Sequence, residues 1–427
     1  MHHEPIVTGK WMTGWSVVFL LCMAVGAVAF VARFALGLGA TTNLSDTYPW
    51  GLWIVFDLIW IALAAGAYVT AGIVYLFGGE RYHGIARSAV LMGFLSYSFV
   101  VVTLIADLGL PWHAWQIVLQ RPDHSAMFEV SWCVGLYVSV LGLELAPVLF
   151  DRFGLDKLRE LWSRLTPVYI VGALTFFVYL MSHSFYWAAA ALVVFSALAI
   201  ILPPYKGGVP ILMIIAAVVF STMHQSSLGS LFLLMPDKLN PLWWSPIMPL
   251  YFFLSSIVGG LATVMLVVAL ADRAFGRRQQ RDVLSGLGRI LAGVLAVYLV
   301  VRLADVFWRG YGAQAFANYL FIVEVGLCGL IPVGLLSLAS VRNKLSVLLL
   351  TTCLVVGGVI FNRLSVVILG MTMPGPIPGI APQSYMPTFI ESMLCISLVA
   401  AAFFFFKLGA KLLPILPREE LDSARGN

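Results

Sequence analysis

The run Trp50-Gly51-Leu52-Trp53-Ile54-Val55-Phe56-Asp57-Leu58-Ile59-Trp60 continues through Ala64-Ala65-Gly66 to Phe77 with a single charged side chain, Asp57. As a helix rising about 1.5 Å per residue, such a stretch is long enough to cross about 30 Å of hydrocarbon. Similar runs recur from end to end, at about 14–36, 50–77, 88–110, 127–150, 166–182, 185–202, 209–235, 247–271, 287–308, 319–340, 345–368 and 388–413. The hydrophobic share is 61% and charged residues make up 11%, with a mean hydropathy of +0.96, far from the mix of a soluble domain. The expected fold is therefore an all-α polytopic membrane protein of about 12 transmembrane helices, forming one integral membrane domain over residues 1–427.

Charge sets the expected orientation. Most of the 25 Lys and Arg fall on one side of these runs, which the positive-inside rule assigns to the cytoplasm together with both termini. Arg121, Lys238, Arg309 and Arg363 are expected on the outer side, and Arg33 and Arg302 within spans. The first ten residues are too polar for a signal peptide, so the first run reads as an uncleaved span. The net charge of +5 does not suggest nucleic acid, because the basic residues lie in short loops beside the spans. The five cysteines stand singly in apolar runs, without the spacing of an iron–sulfur or zinc site. Outer loops rich in Pro and Trp, including Pro374, Pro376, Pro378 and Pro382, read as stiff. Trp112, Trp115, Trp243 and Trp244 suit an interfacial belt, and these loops also suit a docked partner subunit.

Seven carboxylates lie inside or at the ends of the spans: Asp57, Asp107, Glu129, Glu144, Asp305, Glu324 and Glu391. A charged side chain there costs roughly 2.5–3.5 kcal/mol on insertion scales, so each needs a partner or a use. All but Glu144 fall towards the outer side. Arg302 and Asp305, three apart on one helix, can satisfy each other. Asp57, Asp107 and Glu129 have no cation nearby in sequence, and desolvation disfavours the charged form of such a group, which suits proton exchange. Met223-His224-Gln225-Ser226-Ser227-Leu228-Gly229-Ser230 is too polar to face lipid and must line a cavity or another helix. The other histidines lie in loops or near span ends, so no pair of haem ligands is expected.

With Pro49-Trp50-Gly51-Leu52-Trp53, Tyr97, Asp107-Leu108-Gly109, Phe128-Glu129, Leu143-Glu144-Leu145-Ala146-Pro147 and the Met223–Leu231 run, the chain resembles the NrfD/PsrC family of quinone-interacting membrane subunits. The resemblance is nearest to its HybB/DsrP-like branch and covers nearly the whole chain. It implies two four-helix bundles: a quinone-site bundle over 50–235 and a second over 247–368, with a cytoplasmic tail at 414–427. Ten family-like helices leave the short pair at about 166–202 as an inserted hairpin. The resemblance also implies no haem or iron–sulfur cluster bound by this chain. Electrons would pass between a ferredoxin-like iron–sulfur partner subunit on the periplasmic face and menaquinone or another quinone in a bacterial cytoplasmic membrane. The catalytic partner would be a [NiFe] hydrogenase, a molybdopterin enzyme or a multihaem cytochrome c. By the same resemblance Trp50, Trp53, Tyr97, Asp107, His113, Glu129, His224 and Gln225 would form the quinone pocket. Asp57, Asp107, Glu129, Glu144 and His224 would move protons.

The chemistry agrees with the residue types. Quinone reduction takes two electrons and two protons, so it needs an apolar slot for the ring and titratable groups at the carbonyl oxygens. A proton- or sodium-coupled transporter is the alternative, since twelve spans with both ends inside is a common transporter layout. No internal repeat relates the two halves, and the polar groups are skewed outward rather than gathered at the midplane.

Overall fold

The structure, a computed structural model, describes residues 10–76, 83–119, 126–202, 204–205, 209–275, 280–373, 375, 384–413 and 415. Arg121, His124, Pro374, Pro376, Pro378, Pro382, the first nine residues and most of the expected 414–427 tail lie outside them. Each apolar run falls on helix, as it must where no water is present to bond a free peptide group. The main helices are α1 (Gly14–Leu36), α2 (Leu52–Leu76), α3 (His83–Asp107), α4 (Ala126–Phe153), α5 (Asp156–Ser182) and α6 (Phe185–Ile201). They continue as α7 (Ile211–Leu233), α8 (Met248–Ala274), α9 (Arg281–Trp308), α10 (Tyr319–Ser337), α11 (Leu345–Thr372) and α12 (Phe389–Leu412). Ten helices are long and apolar enough to cross a membrane among the described residues, and Leu52–Ala64 and Phe185–Ile201 add shorter apolar segments. The chain is a multi-pass membrane protein. Its strand content among the described residues is one two-residue antiparallel ladder, with Pro204 opposite Pro210 and Tyr205 opposite Val209.

The helices close into two rings. α2, α3, α4 and α7 pack around one axis, and α8, α9, α10 and α11 around another. α8 joins them by packing on α2 and α7. α1 and α12 pair with each other and lean on α3. Thr13 and Thr388 begin these two helices with reciprocal caps, through Ser16 and Glu391 respectively. Trp53, Asp107, Glu129, Phe232, Arg302 and Glu324 gather at one end of the rings, and Glu144 and Arg152 lie towards the other.

Two boundaries differ from the sequence expectation in ways that matter for the buried charges. The fifth span begins ten residues earlier, at Asp156, and α5 is a full 27-residue helix. Its first turns carry Asp156, Lys157, Arg159, Glu160 and Arg164, held by ion pairs Arg164–Glu160 and Arg159–Asp151. Hydropathy detects only the apolar remainder. The turn to α6 uses His183 in the left-handed conformation (φ 50°), and α6 buries none of its side chains. At the other end of the chain, α11 runs past Arg363 to Thr372 through a π-helical segment at Ser365–Leu369. Arg363, expected on the outer side, is fully buried inside this span.

Two glycines permit the closest helix crossings. A Cβ at Gly26 of α1 would overlap the side chain of Ser397 on α12. One at Gly229 of α7 would stand 2.6 Å from Pro249 Cα and 2.7 Å from the Met248 carbonyl oxygen, both on α8. Backbone cannot yield as a side-chain end can. Gly229→Ala is therefore expected to cost about 1–3 kcal/mol through overpacking, read as a lower thermal midpoint in detergent. Gly135→Ala, with open space around its Cβ, leaves the midpoint unchanged or raises it.

Candidate functional site

The first ring has a polar seam where α4 meets α7. Glu129, Cys133, Tyr137 and Glu144 recur on α4 at steps of four, four and seven, which places them on one helical face. Ser221, His224 and Ser227 recur every three residues on the facing side of antiparallel α7. Ser227 Oγ donates to Glu129 Oε1 at 2.5 Å. Tyr137, which is fully buried, meets the Ser221 side chain and feels the charge of Glu144. Between these levels α3 inserts Tyr97, whose hydroxyl lies 3.0 Å from His224 Nδ1 and whose ring packs edge-on against Tyr137 at 4.5 Å. From Glu129 to Glu144 the seam spans about 22 Å along α4, most of the depth of a bilayer's hydrocarbon.

Some of its polar atoms have no protein partner. His224 and Gln225 are 0% and 1% exposed, yet His224 Nε2 and both amide atoms of Gln225 make no hydrogen bond. Buried polar groups are nearly always paired, and an unpaired one costs about 1–3 kcal/mol. In the tautomer in which Tyr97 donates to Nδ1, the neutral imidazole presents Nε2–H as a free donor; in the other, Nε2 is a free acceptor. The site thus offers donors and an acceptor to a polar molecule in an apolar setting.

Asp57 belongs to a different cluster. On α2 it shares a face with Trp53 and Trp60, turned towards α3 and α12. It is 3% exposed and neither carboxyl oxygen has a hydrogen-bond partner. The neighbouring Thr103 hydroxyl donates instead to the Phe99 carbonyl at 2.8 Å. Asp107 and Asp57 repel each other, and Asp107 also faces Glu391 and Arg33. Arg33, 3% exposed, donates to the carbonyls of Ala106 and Leu108, both at 2.6 Å. Along the sequence no cation stands near Asp107. In the fold α1 supplies one, and only the packing of α1 on α3 could reveal it. Trp60 Nε1 is a further unpaired buried donor here.

The ten residues expected in one site are therefore divided. Tyr97, Glu129, Glu144 and His224 share the seam, with Gln225 beside them on α7. Trp53, Asp57 and Asp107 line the second cluster, where Trp53 Nε1 donates to the Glu391 carbonyl. Trp50 stacks edge-on against Phe232 of α7 at 5.2 Å. His113 sits exposed at the end of a short turn, Pro111–His113, and meets neither group. Tyr137 and Ser221 join the seam without any motif to single them out, although their spacing from Glu129 and His224 carries the signal.

The remaining acids have structural partners. Glu391 accepts from the Thr388 N–H and the Tyr385 hydroxyl, capping α12. Asp305 accepts from Tyr251 at 2.6 Å and pairs with Arg309 at 2.8 Å, not with Arg302 as its spacing suggests. Arg302 turns inward to the Leu242 carbonyl and to Glu324, 3.8 Å away. Glu324 also accepts from Trp243 Nε1 (2.8 Å) and Asn362 Nδ2 (2.7 Å). Trp243 is thus fully buried and no part of an interfacial belt, whereas Trp112 and Trp115 are exposed. A cavity of about 20 Å³ touches Glu324, Asn362, Ser255 and Tyr298. It has room for one water, not for a ring.

A b-type haem fits these residues poorly. Its usual second axial ligand must face the first, and of the histidines whose burial is described His224 is buried between helices, while His113 and His183 are exposed. No group of three His, Cys, Asp or Glu could hold a metal ion among the described residues.

The chain is thus a multi-pass helical membrane protein with polar side chains buried between its helices. Its sequence matches the family described as polysulphide reductase, NrfD, over residues 40–375, and the chain belongs to that family. It is 28% identical to the probable Ni/Fe-hydrogenase 2 b-type cytochrome subunit of Escherichia coli K12, over 98% of this chain and 96% of that protein. It is 27% identical to the menaquinone reductase integral membrane subunit of Nitratidesulfovibrio vulgaris Hildenborough, over 97% and 94%. It is 25% identical to a putative dimethyl sulfoxide reductase membrane subunit of Halobacterium salinarum NRC-1, over 99% and 96%. These relatives are membrane subunits of respiratory oxidoreductases.

The reassigned ion pairs separate by stability. Arg302→Met leaves the Glu324 carboxylate buried without its cation and is expected to cost about 3–5 kcal/mol. Asp305→Asn keeps an oxygen to accept from Tyr251 and Arg309 and is expected to cost less, about 1–2 kcal/mol. Thermal unfolding in detergent reads both, and equal losses would restore the Arg302–Asp305 pairing.

Proposed function

We propose that this chain is the quinone-reacting membrane subunit of a respiratory oxidoreductase. It passes electrons between a ferredoxin-like iron–sulfur subunit, docked on the outer face of a bacterial cytoplasmic membrane, and menaquinone or another quinone held between helices. The catalytic partner is a [NiFe] hydrogenase, a molybdopterin enzyme or a multihaem cytochrome c. The observation that carries this reading is the set of unpaired, fully buried polar atoms at His224 and Gln225. Quinone carbonyls are acceptors that His224 Nε2–H and the Gln225 amide can meet, and an apolar wall suits the ring. The names of the relatives, a menaquinone reductase and a hydrogenase subunit among them, point the same way.

Reduction of a quinone consumes two electrons and two protons. Tyr97 and His224 share a hydrogen and stand at the head group, so one of them can release a proton to a reduced carbonyl oxygen. Tyr137 and Ser221 lie next along the seam, and Glu144 follows towards the other face, so protons lost at His224 can be restored from there. Glu129 and Ser227 continue the seam in the opposite direction. Uptake through Glu144 would carry charge across the membrane. Asp57 and Asp107 form a second proton-exchanging pair, open to solvent through half-buried Asp107.

Titration of the purified chain with a menaquinone analogue, followed by quenching of intrinsic tryptophan fluorescence, tests the reading. Wild type is expected to saturate, and His224→Ala to weaken binding roughly three- to tenfold, the value of one hydrogen bond. Glu129→Gln is expected to weaken it less, and Glu144→Gln to leave it unchanged. Absence of saturable quenching in the wild-type chain, alone and with its iron–sulfur partner, would overturn the assignment.

A further inference from the structure

Around Glu324 the second ring buries two arginines against one carboxylate. Arg302 and Arg363 are 1% and 0% exposed, and one carboxylate, Glu324, faces both. Glu324 lies 3.8 Å from Arg302, whereas Arg363 has no carboxylate within ion-pair distance among the described residues. Arg363 Nη1 donates instead to Asn362 Oδ1 and Nη2 to Ser255 Oγ, both at 2.8 Å, and its Nε has no partner. The other titratable groups nearby, Tyr298 and the Asp305–Arg309 pair, add no net charge. Burying an unpaired guanidinium in a membrane is expensive, so such a group is retained for a use. The helix opens into its π-helical segment two residues later, a distortion frequent at functional sites.

That charge sits directly behind the wall of the first ring. The Arg363 guanidinium carbon stacks 3.9 Å from the Phe252 ring centre. Phe252 of α8 packs at 5.3 Å from Phe232 of α7, which packs at 5.2 Å from Trp50. Phe232 and Phe252 are 2% and 1% exposed, so no water enters between them to screen the field. These steps bring the charge within about 15 Å of Trp50, where an unscreened unit charge still acts appreciably at low dielectric.

We propose that Arg363 is an electrostatic selector that makes the quinone site prefer anionic quinoid ligands, including the reduced head group before its protonation, over neutral ones. The proposal rests on the quinone reading given above. Arg363 touches no ligand; it acts through the Phe252–Phe232–Trp50 wall.

The test compares two naphthoquinones of similar size on the full-length chain in lipid nanodiscs. One is 2-hydroxy-1,4-naphthoquinone, an anion at neutral pH, and the other is neutral 2-methyl-1,4-naphthoquinone. Arg363→Gln leaves the Arg302–Glu324 pair in balance and is expected to weaken the anionic ligand about tenfold relative to the neutral one. Arg363→Lys, which keeps the charge, restores the wild-type ratio. Equal weakening of both ligands in Arg363→Gln would show a packing role, and an unchanged ratio would show that the charge is not felt; either overturns the proposal. If neither ligand binds wild type, the quinone reading itself fails, which is a distinct result.

Discussion

Hydrocarbon offers no hydrogen bonds, so each polar side chain placed between these helices must find its partner on another helix, on a ligand, or nowhere. This constraint sorts the intramembrane polar residues. Glu324, Asp305 and Glu391 are met by Trp243, Asn362, Tyr251, Arg309, Tyr385 and the end of α12, and they hold the rings together. His224 Nε2, the Gln225 amide, Asp57 and Trp60 Nε1 are not met. The unmet atoms of His224 and Gln225 lie on α7 of the first ring, and those of Asp57 and Trp60 on the face that α2 turns towards α3 and α12.

Close packing makes that division possible. Gly229 lets α7 approach α8 so nearly that Phe232 and Phe252 touch, which closes the first ring against the second. The same contact carries the influence of one ring on the other, because aromatic side chains exclude water without blocking an electric field. A polar seam on one side and a surplus buried cation on the other share a single dry wall.

The outer helices have a different part. α1 and α12 bring Arg33 and Glu391 to Asp107, giving the Asp57 cluster its cation and a carboxylate neighbour. α5 and α6 add a hairpin whose second helix buries nothing, so the seam is lined without it. Such peripheral elements can vary while the ring that holds Tyr97 and His224 stays intact.

Much of this was legible in the chain. Apolar runs set the helices, because any segment of that length and composition has no other way to satisfy its backbone in lipid. The polar run at Met223–Ser230 and the carboxylates marked which helices bury polar side chains. The sequence could not say which polar residues meet. Trp53 and Asp57 point away from His224, Arg302 passes over Asp305 to reach Glu324, and Arg363 lies within a helix that a π segment extends. Those outcomes depend on the rotation of each helix about its axis and on its neighbours. Rotation is decided when small residues such as Gly229 bring particular faces into contact, a property of helix pairs and not of any one helix.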